Sequence, residues 1–427
     1  MPDLGPSPLA AAGDPQISVD EARARIAASL RPLTGTQTVP LAEALGRVLA
    51  ADLVSPIDVP PHDNSAMDGF AFRGAELLAD GESRFRVAGR VMAGDAGRFE
   101  AAPGECLRIM TGAVMPPGLD TVVPLELCRE VDGVVHIAPG VLRAGENRRK
   151  QGEDLSLGKP ALTAGRVLRP ADLGLAASLG QTTLGVLRPL RVAIFSTGDE
   201  LREAGQPLDA GCVYDSNRHS LSAALRRMGP AMQVIDLGLV PDDPARLEAT
   251  LARALAEADV VLTSGGVSMG DADHTRALLA RMGEVAFWKV AMRPGRPFAF
   301  GPLRRAAGEA PAWLFALPGN PVAALVGFHA FAQDALWTLA GARRPPTPRL
   351  KVRSAAPLRK RPGRTEFQRA IVEPAEDGAW QVRLTGSQGA GILRSMSEAN
   401  ALLVLGHDQG SVAAGEMVEV WLFDGLV

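Results

Sequence analysis

The sequence is short of the groups that build soft-metal or disulfide frameworks. Cys106, Cys128 and Cys212 are an odd count without CxxC spacing, and the 6 histidines are scattered. Neither a zinc knuckle nor a disulfide scaffold follows from that spacing, so any bound metal is expected on oxygen ligands. No run of about 18 uncharged apolar residues occurs, and a membrane-spanning helix is not expected. The opening stretch MPDLGPSPLAAAGDPQ has no basic segment followed by an apolar block, so it does not read as a secretion signal, and the cytoplasm is the expected location. No basic tract exceeds NRRK or RKR, and 45 basic against 48 acidic residues leave a net charge of −3. That balance argues against duplex nucleic acid as a partner and leaves a small anionic ligand open. No internal repeat or low-complexity tract is present. The glycine patterns GxGxxG and GxxxxGK[ST] are also missing, which speaks against a dinucleotide enzyme or a P-loop NTPase.

At 427 residues the chain is too long for one efficient core, and several domains are expected. Ser18 and Glu21 form a capping box ahead of Ala22, Ile26 and Leu30, which predicts an amphipathic helix, with a second over about 41–51. Short β-rich pieces broken by Gly, Pro and Asp turns fill 58–151 and predict an all-β insert. They interrupt a mixed α/β linker domain, 17–57 and 152–188. From 189 to 341, strands alternate with helices, among them one with Asp243 as N-cap and a long one after Pro321. This predicts a doubly wound, mainly parallel sheet. A proline-rich linker then leads into 342–427, read as a small β-barrel. The fold class expected is therefore multi-domain α/β, with a central doubly wound domain, a β-rich insert and a C-terminal barrel.

Ligands of open α/β sheets sit beyond the carboxyl ends of the strands, so the loops after VAIF, DVVL and WLFAL should converge. STGDEL supplies Asp199 and Glu200. TSGGVSMGDAD supplies the Gly265 and Gly266 amides, the Ser268 hydroxyl, Asp271 and Asp273. LPGNP supplies Pro318, Gly319, Asn320 and Pro321 at a helix start. Glycine turns and a helix N-terminus suit a phosphate or a similar oxyanion. The carboxylates, with Asp242, would crowd such an anion unless a Mg²⁺ offset them, which needs one or two carboxylates plus substrate oxygens. Asp242 and Asp273 read equally as helix-capping residues. Lys289, Arg293 and Arg296 fall in one segment, either donors to a tetrahedral oxyanion or an exposed cationic turn.

Together the motifs DNSAMDGFA, RIMTGA, GENRRKQGED, STGDEL, YDSN, TSGGVSMGDAD, FWKVAMRPGRPFAFG, LPGNPV, EFQRA and ILRSMSEANAL run in order from about residue 20 to the end. In them the chain closely resembles the molybdopterin molybdenumtransferases, the MoeA-like proteins and the E domain of gephyrin. The resemblance implies Mg²⁺-dependent insertion of molybdenum from molybdate into adenylylated molybdopterin, with release of AMP. It points to Glu200, Asp242, Asp273, Asp63 and Asp154 as catalytic. It points to Thr111, Arg149, Ser216, Asn217, Gly265, Gly266, Ser268, Lys289 and the 318–321 turn as substrate-binding. Molybdate is placed near Arg293, Arg296, Arg369 and Ser395, and Mg²⁺ near Asp199, Glu200 and Asp271. It also implies a homodimer whose β-rich inserts complete each other's clefts, with the enzyme of the preceding adenylylation step as a further partner. The chain departs from many relatives in having Arg293 and Arg296 for lysines and Ala323 for a serine. The alternatives are a binding scaffold of the same fold or the preceding adenylyltransferase.

Overall fold

The computed structural model describes residues 16–33, 35–95, 99–266, 272–306, 308–344 and 348–423, with the side chains of 272–276 left out. Two compact units partition the chain: residues 52–163 with 174–182, and the remainder.

In the larger unit, the helix Val19–Ser29 starts where the capping box placed it, with the Ser18 hydroxyl accepting from the Glu21 N–H. The helix expected over 41–51 does not form; a single 3-10 turn, Leu41–Glu43, stands there. The chain turns at Gly46 with φ +72°, and Val48 and Leu49 then bridge to Val167 and Val186 as extended chain. Non-local pairing outweighs an apolar period too short to hold a helix by itself.

The alternating region builds six strands: β1 (Leu190–Thr197), β2 (Met232–Val240), β3 (Val260–Ser264), β4 (Ala286–Lys289), β5 (Pro297–Leu303) and β6 (Ala312–Leu317). Their order is β2-β1-β3-β6-β5-β4, with the first four parallel and the last two antiparallel. The segment 284–301, read as one strand, is thus an antiparallel pair reversing at Arg293–Arg296. Helices α1 (Asn217–Arg227) and α2 (Pro244–Glu257) connect parallel strands, and α3 (Ala272–Met282) leads from β3 to β4. Asp243 caps α2 through the Arg246 N–H.

Alternate residues of β1 face opposite layers, as period-2 geometry requires. Val192 and Ile194 pack with Leu221, Leu225 and the helical run after Pro321. Ala193 and Phe195 pack with Leu247, Leu251 and Leu279. That run comprises α4 (Pro321–Gly327), a π-helical segment Phe328–Ala332 and α5 (Gln333–Leu339). By length and mean hydropathy it could cross a membrane, but 72% of the stretch is buried inside the protein. It is a core helical run whose irregular turn is the π-helical segment Phe328–Ala332.

The C-terminal strands β7 (Arg349–Ser354), β8 (Thr365–Pro374), β9 (Trp380–Leu384), β10 (Ala401–Leu405) and β11 (Met417–Leu422) run β8-β9-β7-β11-β10, and β10 pairs back onto β8. This closes a five-stranded barrel around Val352, Ala370, Val372, Leu403 and Val420. The smaller unit carries a six-stranded sheet around Phe70, Phe72, Phe85, Cys106 and Val135 on one face, and Ala71, Leu107, Ile109 and Val122 on the other.

Candidate active site

The parallel register brings the strand ends to one level: Ser196 is opposite Ser264, and Ser264 is opposite Leu317. Since β2 and β3 lie on opposite sides of β1, the switch point falls between β1 and β3. There Gly265, at φ +93°, donates its N–H to the Leu317 carbonyl at 3.1 Å. A Cβ at this position would lie 2.4 Å from the Thr197 carbonyl oxygen. Only glycine permits the β1 and β3 turns to touch.

Two predicted carboxylates meet in this place. The Thr197 hydroxyl donates to Asp242 Oδ1 at 2.6 Å, and the Asp242 N–H donates to Asp199 Oδ1 at 3.0 Å. Glu200 folds back over Gly198, where a Cβ would meet its Oε2 at 2.6 Å. Asp199, Glu200 and Asp242 are all exposed to solvent. Ser268 and Asp271 lie outside the described residues, as does the side chain of Asp273, whose backbone belongs to α3.

The third turn is tied in by Asn217. Its Nδ2 donates to Ser264 Oγ at 2.7 Å and to the Gly319 carbonyl at 2.6 Å, and Ser264 Oγ donates to the Pro318 carbonyl at 3.3 Å. Ser216 stands at the N-cap position of α1. Asn320 stands at the N-cap position of α4 without a side-chain cap bond, Pro321 follows in the first turn, and the Val322 N–H donates to the Ala390 carbonyl at 3.1 Å.

Beneath these loops lies a network that sequence reasoning missed. Arg218 pairs with Asp215 at 2.9 Å, Asp236 at 2.6 Å and Glu203 at 2.5 Å, and the Ser196 hydroxyl donates to Asp215 at 3.0 Å. Burial works against the Arg218 charge, but the surrounding carboxylates outweigh it and raise its pKa. The signal available was the Asp-x-x-Arg spacing in YDSNR, which opens a helix. Replacing Arg218 with Met would strand Asp215, whose side chain is 1% exposed. The expected loss is about 3–5 kcal/mol, read by denaturant titration, with partial recovery in Arg218→Lys.

A second centre forms where the barrel meets the β4–β5 turn. Arg369 is 1% exposed, and among the described residues no carboxylate pairs with it. Its Nε donates to Ser395 Oγ at 2.9 Å, and its Nη2 donates to the Gly389 carbonyl at 2.9 Å. Burial first, and then the nearby Arg293 charge, push its pKa down to about 10, so it stays cationic at neutral pH. Arg293 and Arg296 are exposed on either side of Pro294-Gly295. Met292 and Arg293 pair in parallel with Thr365 and Glu366 at the start of β8. A Cβ on Gly295 would lie 3.3 Å from the Ala323 carbonyl and 3.4 Å from its Cβ, so this turn rests on α4. Lys289, half-buried, ends β4. A desolvated guanidinium with an exposed one nearby and no anion of its own suits a small oxyanion.

The remaining predicted residues lie in the smaller unit. Asp63 accepts the Gln151 N–H at 2.8 Å and faces Arg148 at 3.4 Å. Arg149 pairs with Asn64 across a two-residue ladder. Asp154 is exposed, its N–H bound to the Val59 carbonyl. Thr111 donates both its N–H, at 2.6 Å, and its hydroxyl, at 2.7 Å, to Asp68, holding that carboxyl below the usual range. Asp68, five residues after Asp63 in the same motif, was not foreseen.

Residues 17–180 match the description MoeA N-terminal region (domain I and II). Residues 193–338 match a probable molybdopterin binding domain, and 351–423 match the MoeA C-terminal region (domain IV). The chain is 39% identical to the molybdopterin molybdenumtransferase of Haemophilus influenzae over 96% of this chain and 100% of that protein. It is 38% identical to molybdopterin molybdenumtransferase 2 of Mycobacterium tuberculosis over 93% and 97%. A crystal structure of the molybdopterin biosynthesis moeA protein from Pyrococcus horikoshii superimposes with a TM-score of 0.80 at 28% identity, over 96% of this chain and 100% of that one. With such matches spanning all the motifs and all the sheets described above, the chain belongs to the molybdopterin molybdenumtransferase family, enzymes of molybdenum cofactor biosynthesis.

Proposed function

We propose that the protein inserts molybdenum from molybdate into adenylylated molybdopterin, releasing AMP in a Mg²⁺-dependent step. The observation that carries this reading is Arg369, a buried cation with no carboxylate partner among the described residues, in the unit that also joins three glycine-rich turns. In this reading, the Gly266 and Gly319 amides bind phosphate oxygens of the substrate, while the Gly265 N–H stays committed to the Leu317 carbonyl and holds the turn in place. Ser216 and Lys289 border the pterin side. Arg369, Arg293 and Arg296 hold molybdate through charge-assisted hydrogen bonds, and Ser395, whose hydroxyl donates to the Ile392 carbonyl at 2.6 Å, steadies Arg369.

The residues present fit Mg²⁺ carried in with the substrate. Asp199 and Asp242 lie within one hydrogen-bonded step of each other, and no group of three or more His, Cys, Asp or Glu side chains forms a cage among the described residues. One or two carboxylates plus phosphate oxygens are what this ion usually accepts. When bound, it would neutralise charge gathering on the pyrophosphate. The protein's own part is to hold Asp242 through Thr197, to keep Glu200 near the attacked bond, and to aim the donors.

The reading extends to a homodimer in which Asp63, Thr111, Arg149 and Asp154 of one subunit complete the site of the other. These residues are polar, solvent-facing or rigidly held, and none is needed for the core. The enzyme of the preceding adenylylation step is the natural donor of so reactive a substrate. Three unlinked cysteines fit a reducing, cytoplasmic setting.

Purified protein given Mg²⁺ and adenylylated molybdopterin should release AMP in proportion to added molybdate. Absence of molybdate-dependent AMP, in a protein that still binds the substrate, would refute the assignment.

A further inference from the structure

We propose that Gln388 is a positioning residue for Arg369, setting the aim of the guanidinium and with it the affinity for the oxyanion. The proposal rests on the oxyanion reading of Arg369 given above.

Arg369 lies one residue before the pairing of β8 with β9 begins, at Ala370 opposite Leu384. Its backbone N–H and C=O therefore face past the end of that ladder, where the carbonyl accepts from the Thr385 N–H at 3.1 Å and the Thr385 hydroxyl at 3.2 Å, and the buried N–H still needs a partner. The Gln388 side chain supplies it, and adds a further donor to the carbonyl. Its Oε1 accepts the Arg369 N–H at 2.8 Å, and its Nε2 donates to the Arg369 carbonyl at 3.1 Å. The amide orientation is unambiguous, because an N–H can only donate and a carbonyl can only accept. A third contact, from Nε2 to the Gly386 carbonyl at 3.1 Å, fastens the amide to its own loop.

The same loop aims the other end of the residue. The carbonyls on either side of Gln388, Gly389 at 2.9 Å and Ser387 at 3.4 Å, both accept from Arg369 Nη2. Gln388 thus locks loop to strand, and the locked loop turns the guanidinium. A separate anchor, the Ala390 carbonyl accepting from the Val322 N–H at 3.1 Å, fixes the loop to the first turn of α4. Loss of the Gln388 amide therefore loosens the aim of Arg369 without releasing the loop altogether.

The test measures molybdate and AMP binding by calorimetry, and AMP release against molybdate concentration, for wild type, Gln388→Ala, Gln388→Glu and Arg369→Met. Gln388→Ala is expected to raise the molybdate KM and Kd about 10-fold, the effect of one or two net hydrogen bonds. Its kcat at saturating molybdate and its AMP affinity should stay near wild type. Gln388→Glu keeps the acceptor for the Arg369 N–H but turns a carboxylate oxygen onto the Arg369 and Gly386 carbonyls that Nε2 held, and should weaken molybdate further than Ala. It also serves if Gln388→Ala does not fold. If Arg369→Met abolishes molybdate binding while both Gln388 variants match wild type, this proposal fails and the oxyanion reading stands. A fall in kcat with KM unchanged would likewise make Gln388 merely structural and overturn the proposal. If Arg369→Met binds molybdate normally, the oxyanion reading itself fails.

Discussion

Arg369→Met is expected to abolish molybdate binding while leaving the unfolding midpoint unchanged or raised. Among the described residues the buried guanidinium has no carboxylate counterion, and its depressed pKa means that its charge opposes folding. That penalty is complete below about pH 10 and declines only as pH rises from there towards the unfolded value. Replacing a buried charge by an apolar side chain of similar volume is often neutral or stabilising by about 1–4 kcal/mol. Against this stands the loss of hydrogen bonds to Ser395 and Gly389, worth about 1 kcal/mol each. The near-cancellation marks a residue kept for function at the expense of stability. In wild type, molybdate at about 100 times its Kd should add ~2.7 kcal/mol to stability; in the variant it should add none. Thermal melts with and without molybdate decide the matter. A large destabilisation of the variant without ligand would make Arg369 a structural residue.

Gly265→Ala carries the second large effect. Holding alanine at φ +93° costs about 1–2 kcal/mol by itself. The added methyl, 2.4 Å from the Thr197 carbonyl, must also push the β3 turn away from the β1 turn. Thr197 holds Asp242, and Gly265 is bonded to Leu317, so a shift propagates to all three turns at once. A displacement of about 1 Å in positioning groups can cost ~100-fold in rate. AMP affinity and AMP release should both collapse, while molybdate binding at the barrel edge persists. Calorimetry with each ligand separates the two. Equal loss of both ligands would show one continuous unit instead of two adjoining centres, and wild-type AMP binding would show that the turns do not hold phosphate.

Much of this was legible because it is local. Ser18 with Glu21, and Asp243 before Pro244, announce helix starts within four residues, and each cap forms. The alternating strands and helices of the central domain follow from period alone, and the register of fully apolar strands aligns their ends. The helix expected over 41–51 failed because bridges to Val167 and Val186, more than a hundred residues away, decide that segment. The turn at Pro294-Gly295 was legible, but not that the strand-forming runs on either side of it pair antiparallel as β4 and β5. At the site, Asp199 and Asp242 could be named from their motifs, but the Asp242 N–H that links them and the Thr197 hydroxyl that holds Asp242 could not. Arg218, Asp68 and Gln388 act through partners from 3 to 43 residues away, and in sequence each looks like an ordinary polar residue in a turn.

The central claim is that molybdate and the nucleotide occupy two adjoining sets of donors on one α/β unit and its barrel. Its most direct measurement is anomalous diffraction at the molybdenum edge from crystals soaked with molybdate and AMP. The account predicts a molybdenum peak whose oxygens lie within hydrogen-bonding distance of Arg369, with the AMP phosphate against the Gly265 and Gly319 turns. Molybdenum bound elsewhere, or AMP bound away from those turns, would contradict it.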